Sequence, residues 1–377
     1  MSDIKIVEHT EDNAAYSDDS LFNINSWGAD LSFRELITMY EEDDLVKPEL
    51  QRKYVWSKDE ASRFIDSILL GLPVPSIFLA KVGEQRLIID GYQRILTVYD
   101  YVRGIFSGDN KIFRLSNSDM INQRWRGKAF AELTSDEQKR IKNSTIHAII
   151  FEQKYPQNDT GMYQIFERIN ASGRILKSQE IRNCVYHGKL NTLIMELNKD
   201  HNWRLLFGSE AEDSRMADVE LVLRFFAMYD FYRDHEISVK QIALKKYLNE
   251  YMSAMNKADD EKLAYYAEIF TSTMSMILEK IGKNAFRNLT RVTPKKPTQQ
   301  YASAFHPAIF DAVGQAAAYI VENNIQLSQD RDYEQAHRAL LNNSEFKDCI
   351  SIRTTNVDKI RKRIELAMNL LFAVPVE

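Results

Sequence analysis

Asp90-Gly91-Tyr92-Gln93-Arg94 follows the apolar run Leu87-Ile88-Ile89 and leads into Ile95-Leu96. An apolar run that breaks at Asp-Gly and resumes with helical spacing reads as a strand-to-helix junction. A helix that starts there turns its unpaired N–H groups and the positive end of its macrodipole towards a ligand. Gly91 lets the chain approach that ligand closely, and Arg94 adds a planar fork of donors suited to phosphate oxygens. Asp90 could hold a metal-bound water or a ribose hydroxyl. The same residues also suit a plain structural turn, so their surroundings must decide.

Upstream, Pro48-Glu49-Leu50-Gln51-Arg52-Lys53-Tyr54-Val55-Trp56 reads as an extended segment after a proline. Arg52 could reach the same phosphates and Gln51 could read a base edge or a sugar hydroxyl, while Trp56 suits a core anchor or a stacking platform. Downstream, Phe166 and Ile169 take i, i+3 buried positions and leave Glu167, Arg168 and Asn170 to face a cleft, although Asn170 could equally cap a helix end. Glu180 and Arg182 could pair with these groups or form an internal ion pair that holds two domains together. Asp90 or Glu167 could help to hold Mg²⁺, an ion that needs only one or two carboxylates when phosphates supply the other oxygens.

Several elements must position these residues. Helical spacing begins near Leu31 and continues through Phe33, Leu36, Ile37 and Tyr40. Ser57 with Glu60 forms a capping box for a helix whose face is Phe64, Ile65, Ile68 and Leu69, and Gly71 stops it. Residues 76–81 and 86–90 predict a hairpin around Gly83-Glu84 that aims Asp90 at one end of a small sheet. A helix spans 93–102, Ser135 with Gln138 caps another, and 145–152 is a β-rich run that rejoins the sheet. Beyond residue 160 strand signals vanish and helical patterns cover 216–232, 261–281, 302–321 and 357–372. The expected fold class is therefore α+β, with an acidic flexible arm over 1–25, a small mixed-sheet domain over 26–158 and a mostly helical domain over 159–377.

Composition narrows the class of function. A net charge of −5 argues against bulk electrostatic coating of nucleic acid. A local basic surface is still available: 286–300 carries Arg287, Arg291, Lys295 and Lys296 with no acidic residue and reads as an exposed basic loop. Cys184 and Cys349 are too few for a disulfide scaffold, no run reaches the length of a membrane span, and no signal peptide opens the chain, so a cytoplasmic protein is expected. The seven histidines are scattered, with no H-x-x-x-H pair, no HNH-like pattern and no P-D-(D/E)-x-K signature, which speaks against a stand-alone nuclease.

Four of these segments, in this order, resemble the N-terminal domain of GmrSD-type restriction systems, a branch of the ParB/sulfiredoxin-like fold. They are Gln51-Arg52-Lys53-Tyr54-Val55-Trp56, Asp90-Gly91-Tyr92-Gln93-Arg94, Phe166-Glu167-Arg168-Ile169-Asn170 and Glu180-Ile181-Arg182-Asn183. They correspond to the family's QR-x-Y-x-W, DGQQR, FERLN and EIRN elements, and Arg353-Thr354-Thr355-Asn356 with Arg361 and Arg363 fits the family ending more loosely. The resemblance implies a nucleoside triphosphate site with Mg²⁺ in which Asp90, Gln93 and Arg94 are catalytic and Gln51, Arg52, Gly91, Tyr92, Arg168 and Asn170 bind nucleotide. Tyr92 departs from the motif, because it replaces an amide that both donates and accepts with a phenol. Longer members carry a C-terminal HNH-type nuclease where this chain has helices, so a separate effector or nuclease chain is the expected partner. The alternative is a non-enzymatic ParB-like module that grips DNA, modified DNA included, through the cleft and the 286–300 loop; an antitoxin-like, partner-binding helical protein is also open.

Overall fold

The computed structural model describes residues 4–8, 24–46, 54, 56–153, 160–169, 177–186, 188–234, 239–292 and 298–375. It divides into two compact units, one formed by Asp18–Ile175 with Asn183–Val185 and the other by Met1–Ser17, Leu176–Arg182 and Tyr186–Glu377.

The first unit runs β1 (Ile24–Ser32), α1 (Phe33–Glu41), β2 (Leu45–Val46), α2 (Lys58–Leu70), β3 (Ile77–Val82), β4 (Gln85–Asp90), α3 (Tyr92–Arg103), β5 (Ile105–Phe106), β6 (Lys111–Ile112), α4 (Ser135–Asn143), β7 (Thr145–Gln153) and α5 (Thr160–Ile169). Five of its strands form one mixed sheet in the order β1-β7-β3-β4-β2. β3 pairs antiparallel with β4 and parallel with β7, and β2 adds to β4 in parallel. Alternation along the strands sends Ile77, Leu79, Ile88, Ile146, Ala148 and Ile150 into one apolar core with Phe33, Leu36, Ile65, Ile68, Leu96 and Ile141 of α1 to α4.

Local chemistry explains most element ends. Ser57 and Glu60 form the expected reciprocal cap on α2, and Gly71 closes that helix in the left-handed region at φ +75°. The cap on α4 lies one residue before the expected one: Thr134 Oγ1 accepts from Glu137 N–H at 3.3 Å and Glu137 Oε2 accepts from Thr134 N–H at 2.9 Å. β1 was hidden in the sequence because it is an edge strand, largely exposed, that relies on backbone pairing with β7 from Ile24↔Gln153 to Ser32↔Thr145.

The second unit is mostly helical: α6 (Ser178–Val185, within which the division between units falls), α7 (Lys189–Leu197), α8 (His201–Phe207), α9 (Ala217–Arg233), α10 (Leu244–Met255) and α11 (Asp260–Lys280). Then come β8 (Arg287–Leu289), β9 (Tyr301–Phe305), α12 (Pro307–Glu322), α13 (Tyr333–Asn342), α14 (Ser344–Ser351) and α15 (Val357–Leu366), which passes into a π-helical turn over Ala367–Phe372. The hairpin β8–β9 corrects the expectation that strands end before residue 160. It also shortens the helix expected from 302: His306 precedes Pro307, which disfavours helical backbone there, and Pro307 then starts α12 as its first residue. Residues 4–8, inside the stretch read as an arm, add to β9, with Val7 N–H donating to Phe305 O and Phe305 N–H to Lys5 O, both at 2.8 Å. Among the described residues no helix is long and apolar enough to cross a membrane. Cys184 and Cys349 are buried and free.

Candidate functional site

β4 carries the buried residues Leu87, Ile88 and Ile89 and, at its C-terminal end, leaves the Asp90 side chain half-exposed. Gly91 then turns the chain at φ +104°, and a Cβ built there would lie 2.3 Å from Ile77 Cγ2, so no larger residue fits without displacing β3. α3 starts at Tyr92 with no side-chain cap and no acidic residue in its first turn. Its first intrahelical bond from this end is Ile95 N–H to Gly91 O at 3.0 Å, which leaves the preceding N–H groups at the positive pole of the dipole.

Arg94 reaches back across this turn. Its Nη1 donates to Ser76 O at 2.9 Å and to Asp90 Oδ2 at 3.1 Å, holding the guanidinium beside the helix start. The Asp90 side chain is 50% exposed and that of Arg94 19%, so this ion pair stands at the surface with its carboxylate within reach of a ligand. Both bonds use one nitrogen of the fork, and the remaining Arg94 donors match the oxygens of a phosphate. A helix pole and a guanidinium at one turn offer donors of the kind an anion accepts, with a half-exposed carboxylate beside them.

Tyr92 points the other way. It is 3% exposed and meets Tyr40 of α1, and burial first, then Tyr40, pushes its phenol well above the usual range. Its side chain is therefore part of the core rather than of a nucleotide pocket, and only its backbone belongs to the helix start. Gln93 is half-buried, and its Oε1 accepts from Trp56 N–H at 3.4 Å. Tyr54 meets Thr97 on the next turn, Oη to Oγ1 at 2.6 Å, so the described residues of the upstream motif are stitched onto the junction helix. Trp56 packs edge-on against Phe64 at 5.6 Å, as a core anchor would. Ser76 and Thr97 were not singled out by the sequence, and Tyr54 entered only as the tyrosine of the QR-x-Y-x-W element. Gln51, Arg52 and Asn170 lie outside the described residues.

On α5, Phe166 is buried, Ile169 and Glu167 are half-buried and Arg168 is exposed. Glu180 and Arg182 both find partners in the helical unit. Glu180 Oε2 accepts from Lys177 N–H at 2.6 Å and pairs with Arg215 at 2.9 Å, while Arg182 donates to Asn249 Oδ1 and Glu220 Oε2, both at 2.7 Å. All of these partners lie in the helical unit, where Arg182 is 1% exposed, so both side chains help to anchor α6 within it. The terminal motif is structural in the same way: Arg363 donates to Thr354 O and, with Arg224, to the buried carboxylate of Asp311.

The basic loop loses one of its four cations. Arg287 is 6% exposed on β8, where its Nη2 donates to Phe207 O at 2.6 Å, capping the end of α8, and its guanidinium lies over Phe305 at 5.2 Å. Burial brings this guanidinium down to about 10. Arg291 is exposed, and Lys295 and Lys296 lie outside the described residues. Among the described residues no three His, Cys, Asp or Glu side chains converge on a metal position.

Residues 9–187 match the family model described as the GmrSD restriction endonuclease, N-terminal domain. A comparison with curated proteins finds no match.

Proposed function

Because residues 9–187 belong to the family of GmrSD restriction endonuclease N-terminal domains, we propose that this chain is the nucleotide-dependent regulator of a restriction system. It binds a nucleoside triphosphate at the Asp90–Arg94 junction, hydrolyses it to diphosphate and phosphate, and thereby licenses a separate effector nuclease in the cytoplasm. The observation that carries this reading is the uncapped start of α3 with Arg94 held beside it by Ser76 and Asp90.

Each residue has a defined task in it. The N–H groups that open α3 and the Arg94 guanidinium bind phosphate oxygens and stabilise charge that develops on the transferred phosphoryl group. Arg52, two residues before Tyr54, and Arg168 add charge of the same sign, while Gln51 and Asn170 are assigned to the sugar or base. Gln93 orients the attacking water by hydrogen bonding, and Asp90 accepts its proton or orients it. The half-exposed carboxylate of Asp90 suits Mg²⁺, which with Glu167 and phosphate oxygens would lie there and neutralise phosphate charge. The reading of a DNA-gripping module is weaker, since Arg287 is spent on the end of α8.

The test is phosphate release from each of the four ribonucleoside triphosphates with Mg²⁺, with and without DNA, by the full chain and by Arg94→Ala. Release that Arg94→Ala reduces by at least about a hundredfold, the scale of one lost transition-state donor, supports the assignment. Absence of both release and binding in the unsubstituted protein overturns it.

A further inference from the structure

The five-stranded sheet ends in two edges of very different length. β2 is two residues long, a short edge of the kind that resists pairing. β1 is nine residues long, and among the described residues nothing pairs with its outer side. Its register with β7 runs from Ile24↔Gln153 to Ser32↔Thr145 without a bulge, and it contains no proline and no lysine, so these usual devices do not blunt it. The one charge on it, Asp30, is engaged by His147, whose Nδ1 donates to Asp30 Oδ1 at 2.8 Å. Trp27 is 41% exposed, although it shares the core-side face with its cross-strand partner Ile150. Gly28 is the central residue of the nine, and a Cβ built there would lie 2.8 Å from His147 Cε1, so the imidazole occupies the space a side chain would take.

We propose that β1 is the pairing edge between two copies of this chain. Two identical edges meet about a two-fold axis, which makes the strands antiparallel and the contact isologous. Full-length pairing of β1 with itself places that axis at Gly28. This register is self-complementary at its centre. Gly28 opposes itself, so the one residue brought against its own copy has no side chain. Trp27 opposes Ala29 of the second copy, a large ring against a small residue, and both lie on the core-side face because their partners in β7 are Ile150 and Ala148. On the other face Ser26 opposes Asp30 of the second copy, a hydroxyl donor against a carboxylate, and the two aspartates stay about 14 Å apart along the strands. The pairing continues the sheet from one copy into the next and gives partners to backbone groups that otherwise face water. It stands apart from the nucleotide reading, and its test contains no nucleotide.

The experiment follows the mass of the full chain by analytical ultracentrifugation across protein concentrations. An edge contact of this size is expected to give a dimer that forms at concentrations on the order of micromolar. Trp27→Ala removes an exposed ring and leaves the backbone intact; it should weaken the dimer about thirtyfold, the scale of a lost interface tryptophan, with the circular dichroism unchanged. Oxidation reads the register. In the Ser26→Cys/Asp30→Cys double variant, and in a mixture of the two single variants, the opposed positions lie within disulfide reach and a cross-linked dimer is expected. Either single variant alone should stay uncross-linked, since its two copies lie about 14 Å apart. The native Cys184 and Cys349 are buried and do not interfere. A chain that stays monomeric at every concentration and does not cross-link overturns the proposal and leaves the edge to some other strand. So does a dimer that Trp27→Ala leaves unchanged, or one that cross-links in a single variant instead of the double one, because its interface then lies elsewhere or in another register.

Discussion

The two units use the same chemistry, an arginine facing an aspartate, to opposite ends. In the sheet unit Arg94 touches Asp90 through one nitrogen at 3.1 Å, and half of the aspartate side chain remains in solvent. In the helical unit Asp311 is fully buried and takes both donors of one edge of Arg224 at 2.8 Å and a third from Arg363 at 2.6 Å. Burial alone would raise the Asp311 carboxyl, but the two guanidiniums hold it below the ordinary carboxylate range. Charge complementarity therefore does not by itself distinguish a ligand site from a structural staple. Burial and the number of committed donors do: the first pair keeps a half-exposed carboxylate and uncommitted guanidinium donors, and the second cannot open without exposing charges to the protein interior.

The largest effect should come from breaking the staple. Asp311→Ala leaves Arg224 and Arg363 buried without their shared carboxylate and should lower stability by about 4 kcal/mol, seen as a large drop in the thermal midpoint. A loss below about 1 kcal/mol would erase the contrast between the two pairs.

A second buried group of the helical unit gives a pH signature. His337 is enclosed and stacked on Tyr301 at 5.7 Å, and burial, with nearby Arg338, brings it down to about 4. The fold thus holds it neutral, whereas the unfolded chain takes up a proton near 6.5. Its contribution is complete above pH 6.5 and is lost as pH falls through 4, a change of about 3 kcal/mol over that window. Comparing unfolding of the unsubstituted protein with His337→Gln at several pH values isolates this slope from that of the carboxylates.

At the junction itself, Gly91→Ala forces a side chain into backbone at φ +104° and against Ile77, and a loss of about 2 kcal/mol is expected in the same assay. The smallest stability change belongs to Arg94→Ala, about 1 kcal/mol or less because the Asp90 end of the pair is in solvent, although the same substitution should remove nucleotide binding. A protein in which Arg94→Ala destabilised as strongly as Asp311→Ala would place Arg94 among the staples.

Much of the sheet unit was legible before any coordinates. The α2 cap, the hairpin leading to Asp90, the glycine turn and the helix after it all depend on neighbours within a few residues, so their residue types announce them. What escaped depends on distant partners. β1 exists because β7 offers it a complete ladder, and its exposed residues carry little apolar alternation. Arg287 looked like part of a basic loop until α8 offered it a terminal carbonyl, and the Glu180–Arg182 pair had partners up to 67 residues away. The role of Tyr92 was equally undecidable, since a phenol after Asp-Gly can face solvent or core until α1 supplies Tyr40.

By itself, then, the sequence determined the α+β class, the strand–Asp-Gly–helix junction with its arginine and the family of residues 9–187, because each is written in short-range spacing and motif order. Only the tertiary structure decided which charged residues are available. It left Asp90 half-exposed with Arg94 beside the uncapped start of α3 and closed Arg182, Arg287 and Arg363 into buried partnerships. The physical reason is that an arginine carries the same charge everywhere in a sequence, while its desolvation and its set of acceptors exist only once remote segments have packed around it.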